Sequence, residues 1–206
     1  MPTAVRAARG WLDGWPEPYW SGAGAALYLG DVRACLRAMP ARCVHAVVCS
    51  PPYWGLRAYL DGDHPDKASE IGAEPSPDCG THGQAQCGAC FVCSMVAVFD
   101  EVRRVLRDDG TLWLNLGDTY SSSGVPTAAG KNGFLSTMPD QAAARNFGST
   151  KTAPGIPAGN LVGVPWRVAL ALQAGGWVLR SALPWVKRSA MPDSALSRPG
   201  RATEDL

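Results

Sequence analysis

This 206-residue chain lacks any apolar run approaching the roughly 20 residues that a membrane-spanning helix needs. Its N-terminus, "MPTAVRAARGWLDGWPEPYW", also lacks the apolar core of a secretory signal. These two absences set the expectation of a cytoplasmic protein with no membrane partner. Excess charge of either sign is missing too: 19 Lys and Arg stand against 18 Asp and Glu, for a net +1. That excludes a histone-like or tail-driven nucleic-acid binder, while leaving room for an enzyme with a local basic groove. No internal repeat is present. The cysteines, seven and therefore odd in number, come without a secretory signal. They favour reduced thiols or metal over a disulfide framework. What the chain does have is 46% hydrophobic residues, enough for one domain with a real core.

Along the chain, apolar patterning alternates between strand and helix. "AALYLGD" (Ala25–Asp31) reads as a short strand ending in Gly-Asp. Asp31 then suits the N-cap of a helix whose apolar residues Val32, Cys35, Leu36 and Met39 share one face. "CVHAVVCS" (Cys43–Ser50) is the continuous run expected of a central parallel strand. Ser94–Gly110 predicts a second amphipathic helix closed by its glycine, and Thr111–Leu116 the strand after it. Gly163–Trp177 predicts a third helix with Pro165 in its first turn. Trp177–Trp185 predicts a fourth strand, in which Pro184 marks an edge or a bulge. The alternation predicts an α/β fold with one open, mostly parallel sheet. Two segments interrupt it: a Gly-, Pro- and Cys-rich insert over 61–93, and a polar loop over 119–160 of a length that is usually functional or disordered.

Ligands of open α/β sheets bind at the carboxyl ends of the strands. There the sequence places Asp31, Asp118 and the stretch Ser50-Pro51-Pro52-Tyr53-Trp54. Each aspartate is as well explained by a cap or turn as by a ligand. The Pro-Pro turn is stiff and its carbonyls are free, because two φ angles are fixed and two donors removed. A hydroxyl acceptor, the Pro51 carbonyl and the Tyr53 ring together suit an exocyclic amine and the flat ring that carries it.

"SPPYW" after an apolar strand, preceded by "LYLGD" and followed by "FDEVRRVLRDDGTLWLNLGDTY" and "GVPWRVALALQAGGWVLRSALPWVK", resembles the DNA amino-methyltransferases over nearly all of Leu27–Pro199. The resemblance is to the subgroup whose catalytic motif lies near the N-terminus. It implies a Rossmann-like fold, S-adenosylmethionine as cofactor, double-stranded DNA as partner, and methyl transfer to N4 of cytosine or N6 of adenine. Carried over residue by residue, it makes Ser50, Pro51, Pro52 and Tyr53 the catalytic motif. Tyr53 and Trp54 become stacking rings for the base, and Asp31 and Ser50 contacts to the cofactor. Serine at the first motif position leans towards cytosine N4, with adenine N6 as the alternative. RNA or protein methyltransferases with a similar motif match the surrounding segments less well. The family's Phe-x-Gly-x-Gly cofactor loop has no counterpart here; Gly22 and Gly24 stand in a different context. Because the chain stops at "RPGRATEDL", the expectation is a partial fold. Either a second polypeptide supplies the missing half, or the chain is a non-catalytic DNA-binding remnant.

"CGTHGQAQCGACFVC" brings Cys79, His82, Cys87, Cys90 and Cys93 into one short segment. Overlapping C-x-x-C steps supply soft ligands for a tetrahedral structural zinc, from Cys79, Cys87, Cys90 and either Cys93 or His82. The bland alternative is free loop thiols. Cys35, Cys43 and Cys49 lie in apolar patterns and read as core residues.

Overall fold

A computed structural model of the chain describes residues 17–56, 59–80, 87–122, 152–188 and 203–205. In chain order the elements are β1 (Trp20–Gly22), β2 (Ala25–Leu27), α1 (Val32–Ala38), β3 (Val44–Cys49), α2 (Phe91–Val105), β4 (Leu106–Leu114), α3 (Val164–Ala174), β5 (Pro184–Val186) and β6 (Thr203–Asp205). The chain divides into two compact units, Met1–Val48 with Ala97–Trp113, and Cys49–Val96 with Leu114–Leu206. Among the described residues, no helix is long and apolar enough to cross a membrane.

In the first unit, β1 and β2 form an antiparallel hairpin with Trp20 opposite Leu27. Its turn, Ala23-Gly24, has positive φ at both positions (50° and 78°), the backbone that tight hairpins need. Asp31 caps α1 as expected, accepting from the Arg33 and Ala34 amides at 3.0 and 3.3 Å. The other end of α1 is closed by Arg104, whose guanidinium donates to the Leu36 and Met39 carbonyls at 2.6 and 2.9 Å. A cation there also complements the helix dipole.

β3 and β4 pair with each other. The Arg42 and Cys43 amides donate to the Arg104 and Val105 carbonyls before the strands, and the Asn115 amide to the Cys49 carbonyl after them. Both strands therefore advance together, and β3–α2–β4 is a parallel crossover, the α/β unit that the alternation predicts. α2 ends at Val105 because its last carbonyls take partners from the approach to β3. Gly110 is consequently not a helix cap, as its position suggested. A Cβ there would meet Leu106 Cδ2 at 2.9 Å and the His45 carbonyl at 3.1 Å, so glycine is what lets β4 run close against β3.

The expectation of one mostly parallel sheet is corrected. Among the described residues three two-stranded sheets are present, and β1–β2 and β5–β6 are antiparallel. β3 is not a buried central strand: it has one neighbour among the described residues, and Val48 is 78% exposed. Trp177–Trp185 is a strand only at its end, where Pro184 opens β5 and its missing donor costs least.

In the second unit, α2 begins at Phe91, three residues before the position read from sequence. The Phe91 and Val92 amides donate to the Ser76 and Pro77 carbonyls at 3.0 and 3.1 Å, so the insert itself starts the helix. α3 follows its prediction, with proline in the first turn and Gly175 at the C-cap. The stretch read as a 119–160 loop is anchored at both ends. Tyr120 bridges Leu161, the Val162 amide donates to the Thr119 carbonyl at 2.9 Å, and the Ser121 amide donates to the Asn160 carbonyl at 2.9 Å. The Ser121 hydroxyl completes the join, donating to the Ile156 carbonyl at 2.9 Å and accepting from the Ala153 amide at 3.1 Å.

Candidate functional site

The Ser50-Pro51-Pro52-Tyr53 turn leaves the carboxyl end of β3, and Asn115 stands just past the end of β4. Three polar side chains converge there. The Tyr53 hydroxyl lies 2.6 Å from Asn115 Oδ1, while Ser50 Oγ lies 3.2 Å from the Tyr53 oxygen and 3.3 Å from Asn115 Oδ1. Glu204 joins from β6, its Oε2 3.1 Å from the Tyr53 hydroxyl, and pairs in turn with Lys187. The Asn115 amide is tied down by the Asp205 carbonyl at 3.4 Å, and the Leu116 amide donates to the same carbonyl at 3.0 Å.

Burial pushes the Tyr53 phenol above its ordinary pKa; the Ser50 hydrogen bond opposes this and the nearby Glu204 charge reinforces it. Tyr53 therefore stays a neutral donor at neutral pH. Burial alone would raise the Glu204 carboxyl, but hydrogen bonds from Lys187 and Tyr53 outweigh it and hold the group below the usual carboxylate range. Among the described residues, no hydrogen bond reaches the Pro51 carbonyl, which leaves it available as an acceptor.

The turn is held from beneath by the insert. Gly55 donates to the Gly72 carbonyl at 2.9 Å, and the Trp54 indole donates to the Glu74 carbonyl at 2.9 Å. Gly72 has φ of 95°, and a Cβ there would sit 3.0 Å from the Tyr53 carbonyl. Trp54 is 1% exposed. Its faces are packed by protein, so in this structure it secures the turn and offers no surface for stacking a base. Tyr53, by contrast, is only half-buried.

Asp31 sits in the first unit, at the N-cap of α1. The Arg33 guanidinium, 2.9 Å from its Oδ2, holds the carboxyl ionised well into the acid range, and about half of the side chain is exposed. Asp118 is committed to structure. Its carboxylate accepts from the Thr119, Gly163 and Val164 amides at 2.8, 3.0 and 2.9 Å, capping α3 from a distance where Gly163 has no side chain to do so. Of the two readings open for it, the cap is the one its bonds support.

In the insert, the sulfurs of Cys79, Cys87, Cys90 and Cys93 lie within 4.8 Å of one another. His82, the alternative ligand, lies outside the described residues. Cys49, which reads as a core residue, is pushed up to about 11 by burial and is inert as a nucleophile.

Three residues at the site escape a reading of the sequence: Asn115, Glu204 and Gly117, whose bare backbone lies against the Tyr53 ring. Asn115 carries a weak signal, a polar residue inside the apolar "TLWLNL". Gly117 and Glu204 carry none, since their importance rests on what they meet in space.

Comparison with known proteins gives relatives of one kind. The chain is 39% identical over 184 residues to the type II methyltransferase M.Cfr9I of Citrobacter freundii. It is 41% identical over 183 residues to M.XycI of Xanthomonas campestris pv. cyanopsidis, and 37% identical over 179 residues to M.SmaI of Serratia marcescens. These matches cover 86–89% of this chain but 53% of each relative, so the chain spans about half their length. Residues 44–206, which take in the whole Ser50–Tyr53 cluster, match the family model for DNA methylases, and the chain belongs to that N6/N4 DNA methylase family.

Proposed function

We propose that this chain carries the base-amine side of an S-adenosylmethionine-dependent DNA methyltransferase of the restriction–modification type. Its favoured target is cytosine N4, with adenine N6 the alternative, and it acts on double-stranded DNA in the cytoplasm. One observation carries the reading: a serine hydroxyl, a proline carbonyl unengaged among the described residues, and a half-buried tyrosine meet at the end of a parallel strand, tied to Asn115.

A target base is stacked inside the duplex and must be swung out, at a cost of a few kcal/mol, and held by ring stacking and edge contacts. Tyr53 is the ring proposed for stacking. Its single hydroxyl proton is shared between Asn115 Oδ1 at 2.6 Å and Glu204 Oε2 at 3.1 Å, and the phenol oxygen accepts from Ser50. With its own proton so directed, Ser50 Oγ turns its lone pairs outward as acceptors, and the Pro51 carbonyl is a second acceptor beside it. An exocyclic amine donating to both has its lone pair drawn out of conjugation with the ring and aimed to one side. S-adenosylmethionine, when bound, supplies an activated methyl group on its sulfonium. The chain's own task is orientation, which accounts for a large share of rate in such two-reactant steps. The amine gives up a proton to water once the new C–N bond exists, so no strong base is required. Asp31, ionised and half exposed, has the chemistry of an acceptor for the cofactor's polar groups. That contact is proposed from its type and from the family resemblance.

The test uses methyl-labelled S-adenosylmethionine and duplex DNA, followed by nucleoside analysis. It is run with the full chain alone and with the portion of an M.XycI-like relative that this chain does not match. Labelled N4-methylcytosine is expected, and N6-methyladenine would select the alternative. DNA left unlabelled in both arms would overturn the reading.

A further inference from the structure

The insert departs from what a small polar segment does unaided. Its four cysteines come from four backbone positions, two in loops and two at the start of α2, yet their sulfurs converge on one point, all within 4.8 Å of one another and Cys79 Sγ 3.6 Å from Cys93 Sγ. A tetrahedral tetrathiolate with metal–sulfur bonds of about 2.3 Å places its sulfurs about 3.8 Å apart, so the spacing matches a single ion. A two-iron cluster spreads its cysteine sulfurs more widely. The backbone is arranged around sulfur as well. The Ala89 amide donates to Cys87 Sγ and the Cys93 amide to Cys90 Sγ, both at 3.4 Å, which favours the thiolate form. Gly80 and Gly88 directly follow Cys79 and Cys87 with φ of 72° and 69°, turns that leave room at each sulfur. Cys90 and Cys93 flank the first turn of the 15-residue α2, whose dipole adds to the same preference.

We infer that Cys79, Cys87, Cys90 and Cys93 hold one structural Zn²⁺, and that this ion positions the Tyr53–Gly55 turn. Binding displaces the thiol protons to solvent and leaves a closed four-sulfur shell with no open position for water. The mechanical link runs through the segment between Gly72 and Cys79. Its carbonyls at Gly72 and Glu74 hold Gly55 and Trp54, and those at Ser76 and Pro77 start α2. The ion joins the far end of that segment to the first turn of α2, so the strip under the turn is fixed at both ends. Arg167 adds a brace from α3, its guanidinium 2.5 Å from Asp78 Oδ2 beside the first ligand.

The experiment needs neither DNA nor S-adenosylmethionine, so its outcome is separate from that of the methyltransferase reading. The full chain, purified under reducing conditions without added metal, is assayed for zinc. It is then stripped with a chelator and titrated with Co²⁺. The expected results are about one zinc per chain and the visible absorption of tetrahedral, sulfur-bound cobalt. Cys87→Ser, at an exposed loop position where folding is not at stake, loses the metal; Cys43→Ser, outside the cluster, keeps it. Hydrogen exchange at the Gly55, Phe91 and Val92 amides accelerates in the stripped chain and is restored by zinc. A reduced wild-type chain that takes up no zinc, an octahedral cobalt spectrum, or zinc retained by Cys87→Ser would overturn the site. Unchanged exchange at Gly55 on stripping would overturn the positioning role.

Discussion

A Cβ placed on Gly117 would fall 2.6 Å from Cδ2 of Tyr53 and closer still to its Cε2, so the phenol ring lies against bare backbone. No side chain fits there without moving the ring. Gly117→Ala is therefore expected to displace Tyr53 from its hydrogen bond with Asn115 while leaving the fold cooperative. Methyl incorporation should drop at least tenfold with little change in melting temperature. An alanine variant with wild-type activity would show that the ring position does not matter.

Tyr53 and Ser50 separate by the step each affects. Tyr53→Ala removes a stacking ring worth ~1–3 kcal/mol in single-strand binders, so its loss should appear mainly in productive DNA engagement. Tyr53→Phe keeps the ring but deprives Ser50 of the phenol oxygen that directs its proton. Like Ser50→Ala, it should slow methyl transfer while duplex affinity changes little. Single-turnover rates set beside equilibrium DNA binding distinguish the two patterns, and equal losses in both quantities for all three variants would refute the assignment.

Asp118 is expected to matter for stability alone. Asp118→Ala leaves the Thr119, Gly163 and Val164 amides without their acceptor, and unmet buried donors cost about 1–3 kcal/mol each. A total loss of about 3 kcal/mol in urea unfolding is expected, with Asp118→Asn recovering part of it.

Trp54 gives a parallel case in packing. Trp54→Ala should cost about 3–5 kcal/mol, the range for emptying a buried aromatic site. Trp54→Phe should cost about 1 kcal/mol for the lost bond to the Glu74 carbonyl, plus the volume difference. A Trp54→Ala chain as stable as wild type would place this ring outside the core.

Glu204 links stability to acid. Its carboxyl is held below the ordinary 4.5, so the contribution is fully present above that value and fades as pH falls through the depressed one. Glu204→Gln should flatten the loss of stability across that acid window and change little at neutral pH. Tyr53 acts at the other end. Its raised phenol contributes below the ordinary 10.0 and is lost as pH climbs beyond it. Urea midpoints measured across both windows check the two signs.

Helices α1 and α3 were legible because their ends are written locally: an aspartate cap for one, a proline start and glycine stop for the other. The crossover strand and the serine-proline turn were legible from an apolar run broken by stiff residues. α2 was misplaced at both ends because distant backbone decides them, the insert at Ser76 and Pro77 and the approach to β3 at Arg42 and Cys43. The continuous apolar run of β3 predicts a central strand, but burial depends on neighbours, and it has one among the described residues. Glu204 lies 151 residues from the tyrosine it touches, and no local pattern announces such a meeting.

The bridge between Tyr120 and Leu161 has an engineering consequence. On either side of 123–151 in sequence, Thr119–Ser121 and Ala153–Val162 form a rim closed by their own backbone and the Ser121 hydroxyl. Once a rim is closed, lengthening the excursion is thermodynamically cheap, each doubling costing only ~0.6 kcal/mol in closure entropy. Insertions between Ser122 and Thr152 are therefore expected to leave the hydrogen bonds of this rim in place, as amide exchange at Ser121 and Val162 would show. A library of length variants joined across this rim can therefore be screened without redesigning the scaffold.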